Sequence, residues 1–220
     1  MDDTFILSHV DHTLLTAAAS WAEIEKLCNE AVEFKTASVC VPPCYTGRIR
    51  EAFPDLNICT VIGFPLGYDA VGIKHAAAKA ALDDGANEID MVINIADVKN
   101  GDFQSVEAEI YTMKMIVGEH ILKVIIETCY LTQEEKIRLC GIVTEAGADY
   151  IKTSTGLGTA GATLEDVLLF KANIGQGVKI KAAGGIRSRE DMVMYLENGC
   201  SRLGTSSAVK LLTGGAAANY

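Results

Sequence analysis

Basic residues are scarce in this chain, and several familiar sequence signatures are missing. Lysine and arginine number 19 against 29 aspartates and glutamates, so the 220-residue chain has a formal net charge of −10. Nucleic-acid binding needs clustered positive charge, so we expect no nucleic-acid partner. No apolar run approaches the roughly 20 residues of a membrane span, and two acidic residues stand where a secretory signal carries positive charge. We therefore expect a cytoplasmic protein without membrane contact.

Linkers and low-complexity segments are also missing, apart from the last few residues. With 49% hydrophobic residues and no Pro- or Gly-rich break, the sequence predicts one compact domain over residues 1–220. The glycines and alanines at its end cannot hold a packed conformation alone. We therefore expect residues 213–220 to form a flexible tail.

Metal-binding motifs are incomplete. The cysteines are odd in number, seven in all, and they lie mostly in apolar segments, which favours reduced core thiols over disulfides. Cys40 and Cys44 have zinc-like spacing, but no second CxxC or histidine pair completes a ligand set. Only His9 and His12 among the histidines approach a predicted strand. We therefore expect no metal and no other cofactor.

Short β-branched runs alternate with longer amphipathic stretches, which is typical of a parallel sheet built from βα units. No GxGxxG turn follows the first run, which disfavours an open dinucleotide-binding sheet. About eight units in this length predict an α/β protein of the single-domain (β/α)₈ or TIM barrel type. Ser20 and Thr132 are expected to cap helix N-termini, and Gly85, Gly147 and Gly199 to follow helix ends. The predicted strands are SHVDHT, ASVCVP, NICTVIG, EIDMVIN, LKVIIET, DYIKTS, VKIKAAG and SRLGTS.

Charged side chains recur on one face of these strands. Successive strand residues point to opposite sides of a sheet, so in a barrel one set meets the helices and the other points into the interior. The apolar residues form one set. The other places Asp11, Asp90, Glu127, Lys152 and Lys181 inside the barrel, although charged residues are rarely buried unless they are paired.

An internal salt-bridge network is one explanation of these charges, and Glu88, Lys123 and Lys179, expected near the bottom of the barrel, fit it. Active sites of such barrels lie at the carboxyl ends of the strands. Asp90 and Lys152 come late in their strands, as Glu127 and Lys181 do. We therefore favour a catalytic cluster over a purely structural one.

Lys152 and Lys181 project from neighbouring predicted strands into one partly desolvated space. Like charges disfavour each other, so the pKa of at least one lysine should fall and leave a neutral amine. Only an unprotonated lysine can attack an aldehyde and form an imine. Asp90 is placed to pair with the lysine that stays charged and to exchange protons with a substrate hydroxyl.

Glycine- and hydroxyl-rich segments follow the last three predicted strands. They contain Gly156, Gly184, Gly185, Ser206 and Ser207. In barrels of this type the loops after strands seven and eight commonly bind phosphate through backbone N–H groups. These five residues are therefore the predicted phosphate site.

Seven motifs stand in one order along nearly the whole chain: DHTLL, SVCVPP, VIGFPLG, EIDMVIN, YIKTSTG, KAAGGIR and GTSS. In this combination the chain resembles the deoxyribose-phosphate aldolase family. The resemblance implies a metal-independent class I aldolase whose partner is a small phosphorylated sugar. The implied reaction is reversible cleavage of 2-deoxy-D-ribose 5-phosphate to D-glyceraldehyde 3-phosphate and acetaldehyde, in deoxynucleoside catabolism.

The resemblance also implies roles for individual residues. Lys152 forms the Schiff base, Asp90 and Lys181 assist proton transfer, and Asp11 and Cys40 support the site. It assigns the phosphate to the same five glycines and serines. The sequence departs from the family after KTSTG, where it reads LGTAGAT and the family often has FSTGGAT. That difference bears on loop shape and substrate fit.

Several functional alternatives remain open. Tyr220, at the end of the tail, is hypothesised to fold over the site and shield the iminium or join the proton relay; a frayed terminus is the alternative. The chain could also be another Schiff-base or phosphosugar barrel enzyme, or a phosphosugar-binding protein without catalysis. A homodimer or higher homo-oligomer is likewise left open.

Overall fold

The computed structural model describes residues 1–214, whose eight parallel strands form a closed barrel. The strands pair in sequence order, and the eighth pairs with the first. The predicted (β/α)₈ fold is thereby confirmed. The strands are β1 (Val10–Thr13), β2 (Ser38–Val41), β3 (Ile58–Ile62), β4 (Glu88–Val92), β5 (Ile121–Ile125), β6 (Tyr150–Lys152), β7 (Lys179–Ala183) and β8 (Cys200–Thr205).

A helix follows every strand and covers the outside of the barrel. Helix α1 precedes β1, and α5 lies in the connection between β4 and α6. Within residues 1–214, no helix is both long enough and apolar enough to span a membrane. The helices are α1 (Asp3–Leu7), α2 (Trp21–Phe34), α3 (Thr46–Ala52), α4 (Val71–Asp83), α5 (Ile95–Lys99), α6 (Phe103–Val117), α7 (Gln133–Glu145), α8 (Leu164–Asn173), α9 (Arg189–Glu197) and α10 (Ala208–Leu212).

The helix ends carry the capping residues that the sequence predicts. The hydroxyls of Ser20 and Thr132 each accept a backbone N–H of the first turn, and both belong to complete capping boxes. These bonds satisfy donors that a helix N-terminus otherwise leaves without partners. Gly147 follows α7 with a φ of +74°, a conformation that a residue with a Cβ adopts at a cost.

Side chains of the strands divide between two environments. Met91, Val124 and Ile151 belong to one buried cluster with the helix residues Ile110 and Leu139. The outer strand faces therefore pack against the helices. The alternating positions point into the barrel, where the parallel register aligns the charged residues of neighbouring strands.

Candidate active site

Ion pairs centred on Asp90 fill the middle of the barrel. Asp90 Oδ2 accepts hydrogen bonds from Lys152 Nζ at 2.7 Å and from Lys181 Nζ at 2.6 Å. Asp90 Oδ1 accepts a hydrogen bond from Lys123 Nζ at 2.8 Å. The register pairs Asp90 of β4 with Lys123 of β5, and Lys152 of β6 with Lys181 of β7. The register aligns Asp90 with Lys123, while Lys152 and Lys181 lie two residues further along their strands and reach the same carboxylate across the barrel interior.

A second layer of charge lies against this centre. Asp11 accepts hydrogen bonds from Lys181 and from Arg202. Glu88 accepts two hydrogen bonds from Arg202, each at 3.1 Å, and pairs with Lys123. Glu88 and Lys123 thus form the expected internal salt bridge, but Lys123 also contacts the central carboxylate. We refer to these residues as the charged cluster: Asp11, Glu88, Asp90, Lys123, Lys152, Lys181 and Arg202.

Lys179, the third lysine expected near the bottom, has a different environment. It is the first residue of β7 and is exposed. Its ammonium lies 5.7 Å from the centre of the Tyr150 ring. Lys179 therefore sits at the open amino end of the barrel, in contrast to the buried Lys181 two residues later.

Burial and neighbouring charges act on the pKa values in opposite directions. Burial alone would raise the pKa of Asp90, but the ammonium groups of Lys123, Lys152 and Lys181 hold it well below its ordinary value. Burial alone would lower the pKa of Lys181, but the carboxylates of Asp11 and Asp90 raise it above that of an ordinary lysine. Lys181 is consequently the lysine that stays charged.

A cavity of about 380 Å³ opens above the charged cluster. Its walls come mainly from the loops that follow β6, β7 and β8, with further residues after β1 and β3, so it lies at the carboxyl ends of the strands. Lys152 is the member of the cluster that lines this cavity. The lining also contains all five residues of the predicted phosphate site, Gly156, Gly184, Gly185, Ser206 and Ser207.

Comparison with known proteins identifies the family. The model of the DeoC/LacD family aldolases matches residues 5–215. The chain belongs to the DeoC/LacD family of aldolases. The resemblance inferred from the motifs is therefore confirmed, and the chain is an enzyme.

Relatives of this aldolase match it along nearly its whole length. It is 62% identical over 215 residues to a deoxyribose-phosphate aldolase of Clostridium botulinum (strain Alaska E43 / Type E3), with 97% of each chain covered. It is 53% identical over 208 residues to a deoxyribose-phosphate aldolase of Clostridioides difficile (strain 630), covering 94% of this chain and 95% of the relative. A solved structure of deoxyribose phosphate aldolase from Aeropyrum pernix, described as a unique tetrameric structure, superposes with a TM-score of 0.90. That structure is 31% identical, and the match covers 96% of this chain and 91% of the other.

The cavity of this aldolase also contains residues that the motif analysis did not assign. Arg187, the last residue of KAAGGIR, lines the cavity and places a guanidinium group beside the predicted phosphate site. A protein with a net charge of −10 needs such a local positive group to bind an anion. Thr155 lines the wall next to Lys152. Arg187 belongs to the motif KAAGGIR and Thr155 to YIKTSTG, so the motifs could have indicated both residues.

Cys40, predicted to support the site, is buried between the cluster and the cavity. It stands opposite Cys59 in the β2–β3 register, and the two pack under the cavity-lining residues Leu15 and Phe64. A hydrogen bond with Cys59 lowers the pKa of the Cys40 thiol. Cys59 Sγ in turn lies 3.0 Å from Asp90 Oδ1. Motif analysis did not identify this last contact.

Two groups of potential metal ligands occur among the described residues, each with its donor atoms within 4.8 Å of one another: Cys40, Cys59 and Asp90, and Asp11, Cys59 and Glu88. Lys123 Nζ already lies 3.2 Å from Cys59 Sγ and 2.8 Å from Asp90 Oδ1. A divalent cation here would displace those hydrogen bonds and face several buried positive charges. The donor set therefore suits ammonium groups better than a metal.

Only the first two residues of the predicted tail lie within the described part of the chain. The structure places Thr213 and Gly214 as exposed residues directly after α10. Tyr220 lies outside the described residues, as do residues 215–219 of the predicted tail. Its role as a lid stays a prediction.

Proposed function

We propose that this aldolase reversibly cleaves 2-deoxy-D-ribose 5-phosphate to D-glyceraldehyde 3-phosphate and acetaldehyde through a Schiff base on Lys152. The observation that carries the proposal is the position of Lys152, which both lines the cavity and lies 2.7 Å from Asp90 Oδ2. The relatives named deoxyribose-phosphate aldolase support this choice of substrate.

The balance of buried charge favours Lys152 as the nucleophile. Three carboxylates in the charged cluster face three cations other than Lys152. When Lys152 loses its proton, the remaining positive and negative charges are equal in number. The free amine required for attack on a carbonyl is thus compatible with a neutral cluster.

The first half of the reaction joins the sugar to the enzyme. Lys152 Nζ attacks C1 of the open-chain aldehyde and forms a carbinolamine, which loses water to give an iminium ion. Asp90, acting with a water molecule, takes the proton of the C3 hydroxyl. The C2–C3 bond breaks, its electron pair moves toward the iminium nitrogen, and D-glyceraldehyde 3-phosphate leaves.

The second half releases the two-carbon product. The enamine left on Lys152 takes a proton at C2 and becomes an imine, which water hydrolyses to acetaldehyde and free Lys152. Lys181 is held charged by Asp11 and Asp90, and it assists these proton transfers from its place beside Asp90. Asp11 supports that role by fixing Lys181.

The substrate phosphate binds at the loops after β6, β7 and β8. Gly156, Gly184 and Gly185 let the backbone come close to an anion, and Ser206 and Ser207 offer hydroxyl and backbone donors. All five line the cavity, together with Arg187. This arrangement places the phosphate at the rim and leaves the aldehyde carbon to reach Lys152.

A retro-aldol assay with deoxyribose 5-phosphate tests the proposal, and borohydride is added in a parallel reaction to reduce the imine. We expect turnover and a reduced two-carbon adduct on Lys152, located by peptide mass spectrometry. Binding without turnover or adduct would favour a phosphosugar-binding protein. An adduct formed only with another sugar phosphate would favour a different Schiff-base barrel enzyme.

Contact between two loops depends on Gly184, which gives a test of the phosphate site. Gly184 has a φ of +79°, and a Cβ there would lie 3.0 Å from Gly161 Cα and 3.1 Å from Gly156 Cα. We expect Gly184→Ala to raise the KM for deoxyribose 5-phosphate roughly tenfold, because the methyl group separates the loops that bind the phosphate. Steady-state kinetics measure the change.

Gly147→Ala is the matched control for Gly184→Ala. Gly147 has a similar φ of +74°, but nothing lies within 4 Å of an added Cβ. The control introduces the same kind of backbone strain at the opposite end of the barrel, after α7. Equal KM values in the two variants would contradict the assignment of this loop to phosphate binding.

Assembly and location complete the proposal. We expect a homo-oligomer, because the Aeropyrum pernix relative is described as tetrameric. Light scattering on the protein in solution measures its mass, and the mass of a monomer would contradict the expected homo-oligomer. The cytoplasmic location remains a prediction from the sequence.

A further inference from the structure

Glu127 has an unusual backbone conformation at the end of β5. Its φ of 52° and ψ of 69° lie in the left-handed region, which a residue with a Cβ rarely adopts. The residue is only 1% exposed, although its side chain is a carboxylate. Both features cost free energy. Such a combination persists where the surrounding structure requires it, and it is frequent at functional sites.

The Glu127 carboxylate extends the pairing of β5 with β6 beyond the last strand residue. The backbone N–H of Thr128 donates to the carbonyl of Thr153 at 2.9 Å. Two residues further along, the N–H of Thr155 donates to the Glu127 carboxylate and lies 3.2 Å from each of its oxygens. The side chain thus takes the place of a backbone acceptor. It fixes the chain three residues after Lys152.

The same carboxylate lies underneath the loop that follows β6. A Cβ at Gly158 would lie 2.9 Å from Cys129 Sγ and 3.2 Å from Glu127 Oε1, so the loop crosses the carboxylate and the Cys129 thiol with no space for a side chain. The other side of this loop is cavity wall, formed by Thr155, Gly156 and Leu157. The Leu157 N–H donates to Thr155 Oγ1 at 3.0 Å and closes the turn.

Burial and the neighbouring groups act in opposite directions on the Glu127 carboxylate. Burial raises the pKa of Glu127, while the hydrogen bonds from Thr155 and the positive charge of Lys152 limit the rise. Removing the carboxylate would leave the buried Thr155 N–H without its acceptor, which is costly away from water. The turn would then shift to find another partner.

We propose that Glu127 is a positioning residue, which acts through the N–H of Thr155 to hold the turn 155–157 against the phosphorylated part of the substrate. This inference rests on the proposed function. A five-carbon sugar phosphate spans the distance from Lys152 to the loops and needs the turn in place. Acetaldehyde has no phosphate, so its reaction with Lys152 does not use the turn. The two ligands therefore separate an effect on the turn from an effect on the nucleophile.

The test compares Glu127→Ala and Glu127→Gln with the wild type in two assays: kcat and KM for deoxyribose 5-phosphate, and the rate of borohydride trapping of acetaldehyde on Lys152. We expect Glu127→Ala to raise KM about tenfold and to change acetaldehyde trapping less than about threefold. Glutamine keeps an acceptor oxygen at the same place, so the KM of Glu127→Gln should lie close to the wild-type value. Glu119→Ala, at an exposed position before β5, is the control.

Distinct results would overturn the inference. Wild-type KM in Glu127→Ala, or equal losses of trapping and turnover, would exclude positioning through the turn. Absence of wild-type trapping and turnover would instead reject the proposed function. If Glu127→Ala does not fold, Gly158→Ala pushes the loop away from Cys129 Sγ and the Glu127 carboxylate, and it should also raise KM without slowing acetaldehyde trapping.

Discussion

Replacement of Lys152 by alanine is expected to abolish both imine trapping and turnover of deoxyribose 5-phosphate, with a loss of roughly 10⁴-fold or more in kcat. The reason is chemical, because no other group in the described cavity lining is a primary amine. Lys181 is buried beneath the lining and is paired with two carboxylates. It therefore has neither the access nor the free electron pair to replace Lys152.

Two control variants separate the nucleophile from its charge. Lys152→Arg keeps a cation opposite Asp90, but a guanidinium does not form the imine, so we expect the same loss. Lys179→Ala removes an exposed lysine at the other end of the barrel and should keep activity within about twofold. An adduct on Lys181 in the wild type, measured by peptide mass spectrometry, would reverse the assignment.

The alternation of side chains predicted most of the barrel. Asp90 and Lys181 each stand between two apolar neighbours, and Lys152 follows the apolar Ile151, so the sequence alone separates outer from inner faces. Strand order then follows from the short βα connections. Alternation and sequential pairing place these three residues inside one closed barrel, which is why their convergence could be predicted, although the register does not align Asp90 with either lysine.

Arg202 illustrates what alternation could not predict. It lies in β8, where the polar and glycine-rich sequence CSRLGT gives no clear apolar face, and the pairing of β7 with β8 contains a register shift beside Lys181. Its contacts with Asp11 and Glu88 depend on that irregular register. A sequence pattern of period two does not record such a shift.

The sequence also could not predict which lysine is accessible from the cavity, or how the loops around it are folded. Alternation treats Lys152 and Lys181 alike, yet only Lys152 lines the cavity, because the wall is set by loops that pack against one another. The hydrogen bonds between Glu127 and Thr155 likewise depend on the left-handed backbone of Glu127, which no turn motif in the sequence predicts. Residue types could be predicted here, but their environments required the folded chain.

Replacement of Asp90 by asparagine is expected to lower kcat by roughly 10²- to 10⁴-fold while the affinity for inorganic phosphate is retained. The amide cannot take the proton of the C3 hydroxyl, and it no longer balances the three ammonium groups around it. The phosphate site is built from loops above the cluster, so it should remain intact. Inhibition by inorganic phosphate measures its affinity independently of turnover.

The loss of charge could act by destabilising the fold, since an unpaired buried ion commonly costs about 3–5 kcal/mol. A double variant separates the two causes. Asp90→Asn with Lys123→Met removes one charge of each sign, and Lys123 is fully buried behind Asp90 and away from the cavity. We expect this pair to recover much of the thermal stability lost in Asp90→Asn and none of the turnover. Recovery of turnover together with stability would mean that Asp90 only balances charge, and the proton-transfer role would have to be abandoned.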